Sequence, residues 1–146
     1  MQTWSLAGLD SREVKKATIV NWMQLGVYKT REKLYQYKNI KSDLCLACDN
    51  EQTENLHHLI FLCSHYEDIR QPVLTKLFLM NTNLLQIMDN PKLKVMLVLD
   101  PTSTLLPDSI TEHWDQTNFD VHALCRDMLY NIHKKRDKLY TVKDKL

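Results

Sequence analysis

Glycine is scarce in this chain: two residues in 146, beside only four prolines. No Asn-Gly or Asp-Gly pair marks a tight hairpin, so an all-β architecture has no turns to stand on. Leu, Lys, Asp, Asn and Met usage favours helix over sheet. Long apolar runs are missing as well. The longest, such as "VMLVL", are far too short to span a bilayer, so no membrane partner is expected. The opening "MQTWSLAGLD" lacks the basic-then-apolar pattern of a secretory leader. No Gly-rich phosphate loop occurs. At this length a single compact domain is expected, large enough to bury a core.

What the chain does have is clustered cysteine. Three of its four cysteines and two adjacent histidines fall within "CLACDNEQTENLHHLIFLC", residues 45–63. Without a secretory pattern such cysteines read as thiolates in a reducing compartment, placing the protein in the nucleus or cytoplasm. Net charge is only +1, but unevenly spread: +4 over residues 1–44, −7 over 45–120 and +4 over 121–146. Any nucleic-acid surface is therefore expected from the two ends.

Periodicity divides the chain into a basic helical pair over 1–44, a metal segment with its following helix over 45–80, and a helical region over 81–146. Asp10 with Glu13 forms a capping-box pattern opening a helix whose apolar face is Ile19, Trp22 and Met23, with Gly26 as its stop. A second helix is expected from Thr30 through "REKLYQYKNI". A third, capped by Thr53, is expected over 54–62. Ser64 with Glu67 repeats the capping-box pattern before a stripe of Tyr66, Ile69, Val73, Leu77 and Met80, interrupted by Pro72. Asn90-Pro91 reads as cap and first residue of a helix that Asp100-Pro101 ends. Residues 101–117 read as a long loop. Val121, Leu124, Cys125, Met128, Ile132 and Leu139 keep one face of the last and clearest helix. The fold class expected is mainly α, a small helical domain with one structural zinc knuckle.

Cys45-x2-Cys48 is the usual first half of such a knuckle, because two thiolates on a tight turn can both reach one ion at about 2.3 Å. A histidine and Cys63 supply the rest. On an ideal helix, residues five apart point about 140° away from each other. Cys63 can join His58 only if the helix breaks there, and the cap pattern at Ser64 supplies the break. His57 and His58 diverge by about 100° on a helix, so only one binds; spacing does not choose between them. A redox Cys-x-x-Cys pair lacks its βαβ surroundings, and plain buried cysteines leave the nearby histidines unexplained. Four protein ligands make a closed, structural site.

The stretch "CLACDNEQTENLHHLIFLCSHYEDIR", residues 45–70, resembles the zinc-binding (CCHC) segment near the C-terminus of reverse transcriptases from non-LTR, LINE-type retrotransposons; with the basic stretch that precedes it the resemblance covers about a third of the chain. The matching residues are Cys45, Cys48, Glu54, Leu56, His58, Leu59, Phe61, Cys63, Tyr66 and Arg70. That register implies His58 rather than His57, and one Zn2+ held by Cys45, Cys48, His58 and Cys63. The preceding "WMQLGVYKTREKLYQYKNI" stands where that family has a basic helical pair, with Gly26-Val27 in place of its frequent Gly-His. The resemblance implies a grip on template RNA or target DNA. The polymerase motif Y/F-x-D-D is absent, so the chain is expected to be a fragment of such an enzyme or a free-standing descendant.

No catalytic constellation emerges, and no enzyme activity is expected. Pro107-Asp108 with Asp120 resembles part of a nuclease site, yet no D/E-x-K follows; a loop proline and a helix-capping aspartate explain it. Cys125 lies on an apolar face. His113, His122 and His133 form no base–orienter pair. His65 reads as an exposed helix residue or a neighbour of the zinc ligands.

Two basic clusters are the expected nucleic-acid contacts: Arg31, Lys33, Lys38 and Lys41, interleaved with Tyr28, Tyr35 and Tyr37 for base stacking, and Lys134, Lys135, Arg136 and Lys138. The competing expectation is a zinc-stapled protein-interaction or scaffolding domain, since the acidic middle repels phosphate.

Overall fold

The computed structural model describes residues 11–114 and 120–143, the last two without their side chains. Six α-helices account for most of it: α1 (Ser11–Gln24), α2 (Arg31–Gln36), α3 (Glu67–Met80), α4 (Pro91–Leu99), α5 (Asp108–Trp114) and α6 (Val121–Lys143). No strand forms among the described residues; a lone antiparallel bridge pairs Leu44 with Thr53.

Helix α6 is the axis of the molecule, with α1, α3 and α4 packed along it. Its periodic face is what makes this possible: Val121, Cys125, Met128, Leu129 and Ile132 are all buried. Against them lie Leu77 of α3, Leu97 and Val98 of α4, Ile110 of α5, and Leu84 and Ile87 from the 3₁₀ stretch Thr82–Ile87. A polar seam joins α1 to α6. The buried Lys16 ammonium lies 2.8 Å from Asp127 Oδ1 and 3.3 Å from Glu13 Oε1.

The helix ends follow local chemistry. Thr30 caps α2 by accepting from the Lys33 amide, and Asn90 Oδ1 does the same for Leu93 at the start of α4, with Pro91 at the first turn. Asp120 Oδ1 accepts from the Ala123 amide and so caps α6. Gly26, with φ +73°, turns the chain after α1, a conformation that costs a Cβ-bearing residue energy. Among the described residues no helix is long and apolar enough to cross a membrane.

Four expectations change. Helix α2 stops at Gln36 instead of running to residue 40, because Lys38 takes a left-handed φ of 62°. The stretch read as loop over 101–117 contains α5; its residues 115–117 lie outside those described, as does the Asp10 cap. Pro72 sits within α3, leaving the residue 68 carbonyl without its helical donor. No side chain caps α3, so the Ser64 box is not used: Ser64–Tyr66 forms one 3₁₀ turn and α3 begins at Glu67.

Candidate metal centre

The segment from 45 to 63 folds around its own cysteines. The Cys45 amide donates to Gln52 O at 2.8 Å, closing the loop, and the Ala47 amide donates to Cys45 Sγ at 3.3 Å. Asn55, not Thr53, caps the short helix that follows, accepting from the His58 amide at 2.9 Å. That helix then widens into a π turn, His58–Leu62, ended by a Cys63 amide that reaches back five residues to His58 O at 2.7 Å. Cys63 itself is extended, with φ −65° and ψ 121°. The widened turn and the extended residue together bring Cys63 round beneath His58.

Cys45, Cys48, His58 and Cys63 are all buried, and their ligand atoms lie within 4.8 Å of one another. This cluster could hold one metal ion. Cys45 Sγ and Cys63 Sγ are 3.8 Å apart, and Cys48 Sγ is 3.4 Å from His58 Nε2. All four cysteines are free. The Cys63 thiol, helped by His58 and by the amides of Ala47 and Cys48, pulls Cys45 toward its thiolate against the effect of burial. Cys63 is raised in turn, first by Cys45 and then by burial. Two sulfurs 3.8 Å apart would both face an ion placed between them.

His58 is oriented from behind. Its Nδ1 lies 3.1 Å from Gln52 Oε1, a carbonyl that accepts Nδ1–H and leaves Nε2 as the free ligand atom. His57 points elsewhere, its ring 5.9 Å from that of Phe61. Burial, then the neighbouring Lys94, lowers its pKa.

Beneath the cluster lies a buried charge network. Glu54, fully buried, accepts from Arg136 Nη2 at 2.7 Å and Nε at 3.0 Å, from the Arg31 amide at 2.9 Å at the start of α2, and from the Tyr140 hydroxyl. Burial opposes the Arg136 charge, but Glu54 outweighs it and raises the guanidinium further above its ordinary value. The Tyr140 oxygen also accepts from the Leu46 amide and lies 3.8 Å from Cys45 Sγ. Arg136 Nη2 reaches Lys29 O at 2.9 Å. One carboxylate thus fastens the metal loop, the N-terminus of α2 and the end of α6.

The basic residues divide accordingly. Arg136 departs from its expected role: it is buried, with Nε and Nη2 committed to Glu54 and the Lys29 carbonyl. Lys135 donates to His65 O at 2.7 Å and pairs with Asp68 at 3.1 Å. Lys134 and Lys138 are exposed. In the first cluster Arg31 bonds Ser42 O at 2.9 Å, Lys33 is half-buried, and Lys38 and Lys41 are exposed. Tyr35 and Tyr37 are exposed, but Tyr28 is buried, its pKa pushed up to about 12 chiefly by burial. Its hydroxyl lies 2.7 Å from His133 Nδ1.

The side chains raised as possible chemistry are each tied into the fold. Burial pushes Cys125 up to about 12. His113 donates to Met80 O at 2.6 Å, and His122 lies 3.3 Å from Thr102 Oγ1. Gln52 and Tyr140 went unread in the sequence as neighbours of the candidate metal ligands; nothing in their spacing marks them.

A helical domain organised around a closed Cys3His cluster is the class that fold and site define. Compared with known proteins, the chain matches no family, no curated protein and no solved structure.

Proposed function

We propose that the chain is a zinc-stabilised nucleic-acid-binding module with no reaction of its own, gripping RNA or DNA through phosphates in the nucleus or cytoplasm. The observation that carries the zinc assignment is the donor set, three sulfurs and an imidazole buried with their ligand atoms within 4.8 Å of one another. Tetrahedral Zn2+ with Zn–S of about 2.3 Å and Zn–N of about 2.0–2.1 Å sets neighbouring ligand atoms about 3.5–3.8 Å apart. The Cys45–Cys63 and Cys48–His58 separations of 3.8 and 3.4 Å fit that frame. Three thiolates and an imidazole suit zinc better than hard cations, and four protein ligands leave no position for a reacting water.

Nucleic-acid binding draws support from the exposed cations Lys38, Lys41, Lys134 and Lys138 and from the exposed rings of Tyr35 and Tyr37. The likeness of residues 45–70 to the LINE-type reverse-transcriptase segment points the same way and suggests a polymerase as parent or ancestor. Single-stranded RNA and DNA binding by the zinc-loaded protein across a salt series tests the reading. Affinity should fall steeply as salt rises, with a slope of about 0.7 per phosphate contacted. No binding at low salt would refute it.

A protein-interaction role is the second reading. It is favoured by Leu79 and Leu85, which stand 80% and 69% exposed beside a shallow apolar groove on α3.

A further inference from the structure

The periodicity of α1 assigns Trp22 to the buried face with Ile19 and Met23. The structure buries those two and leaves Trp22 45% exposed. It stands over a groove of about 850 Å³ between α1 and α6. Across from it, Tyr130, Lys134 and Lys138 follow one another at four-residue steps on α6, a row rising about 6 Å per step. Lys15 of α1 closes the other side. Lys134 Nζ lies 5.3 Å from the centre of the Tyr130 ring. Lys15, Lys134 and Lys138 have no carboxylate partner within 4 Å among the described residues. Against these three ammonium groups the groove sets one carboxylate, Asp137.

We infer that this groove is the seat for single-stranded nucleic acid, with Trp22 as the stacking face, Tyr130, itself stacked on His133 at 6.4 Å, as part of the wall, and Lys15, Lys134 and Lys138 as phosphate contacts. The inference rests on the nucleic-acid reading above and names the site for it. An exposed indole beside unpaired cations is what an unpaired strand requires, because every base has a face to stack and every linkage a charge to neutralise. A duplex offers the charge without the faces, since its bases are stacked on one another. The groove also joins the two basic ends: Lys15 comes from the first and Lys134 and Lys138 from the last.

The test uses the full zinc-loaded chain, fluorescently labelled oligo(U) and oligo(dT), a hairpin duplex, and poly-glutamate as a competitor. Variants are Lys134→Glu/Lys138→Glu, Trp22→Ala and Trp22→Phe, with Lys38→Glu/Lys41→Glu as the comparison. Zinc content and circular dichroism certify that each is folded. Single strands should bind in preference to the hairpin. Trp22→Ala should weaken them by about 5- to 150-fold, the worth of one stacked base, and Trp22→Phe should restore most of that. The α6 pair should lower the salt slope by about 1.4, two phosphates' worth.

If the native chain binds and the groove variants match it while the Lys38/Lys41 pair weakens, the groove is wrong and the nucleic-acid reading survives. If poly-glutamate competes as well as oligo(U), the groove is a general polyanion surface and the inference fails. If the native chain binds no strand, the groove and the reading fall together.

Discussion

Two parts of this molecule are held together by different physics. Around α6, from Val121 to Ile132, the fold is maintained by apolar burial: Leu77, Leu84, Leu97, Ile110, Leu129 and Ile132 are almost completely withdrawn from water. The loop from 43 to 66 has little of that. Its buried centre is three thiols, an imidazole and a carboxylate, beside Leu59, Ile60 and Tyr66. An apolar core needs only the right volume, whereas a polar centre needs every partner present. The first loses stability in proportion to what is removed. The second fails when any one member is lost.

The sharpest way to break the comparison is to remove the zinc proposed for the Cys45, Cys48, His58 and Cys63 cluster. Structural zinc contributes roughly 10–16 kcal/mol in small finger peptides, as much as the whole stability of a typical domain, about 5–15 kcal/mol. Cys48→Ser and His58→Ala should each abolish stoichiometric zinc and melt the 43–66 segment, while α3 to α6 retain their helical circular dichroism. Metal analysis and thermal melts of the same samples check this.

Next in size is Glu54→Gln, which leaves the Arg136 guanidinium buried without its counter-charge. A loss of about 3–5 kcal/mol in urea unfolding is expected. The double variant Glu54→Gln/Arg136→Met should recover part of it, because the uncompensated charge is gone. Leu129→Ala probes the other region. It should cost about 2–5 kcal/mol by the same measurement while zinc stays at one per chain. Equal zinc loss in Leu129→Ala would mean the two regions are not separable.

A finer contrast lies between the histidines and their neighbours. Gln52→Ala removes the group that orients His58, so zinc affinity in a chelator competition should drop about 10- to 100-fold. His57→Ala should leave it unchanged, since that ring faces Phe61.

The same contrast explains what could be read from the residues alone. Local chemistry was legible: the Cys45-x2-Cys48 turn, the Asn90-Pro91 start of α4 and the face of α6 all depend on neighbours within a few positions, and the break at Cys63 was placed correctly although a π turn makes it and not the Ser64 cap. The short α5 was not, because seven residues of "DSITEHW" are too few for a helical period to show. The fate of Arg136 was hidden for another reason. Its partner Glu54 lies 82 positions away, and nothing in a run of basic residues tells which one turns inward. The two exposed cations, Lys134 and Lys138, sit on the same helix within two positions of it. Trp22 was misplaced likewise, since helical periodicity assigns a face without saying where the covering partner ends.

Hydrogen exchange on the zinc-loaded protein, before and after chelation, tests the central claim most directly. Protection should collapse over residues 43–66 and at the start of α2, which Glu54 holds, while α3, α4 and residues 121–132 of α6 keep theirs. Unchanged exchange across 43–66 after the metal is stripped would contradict it, for the loop would then stand without the ion that is said to hold it.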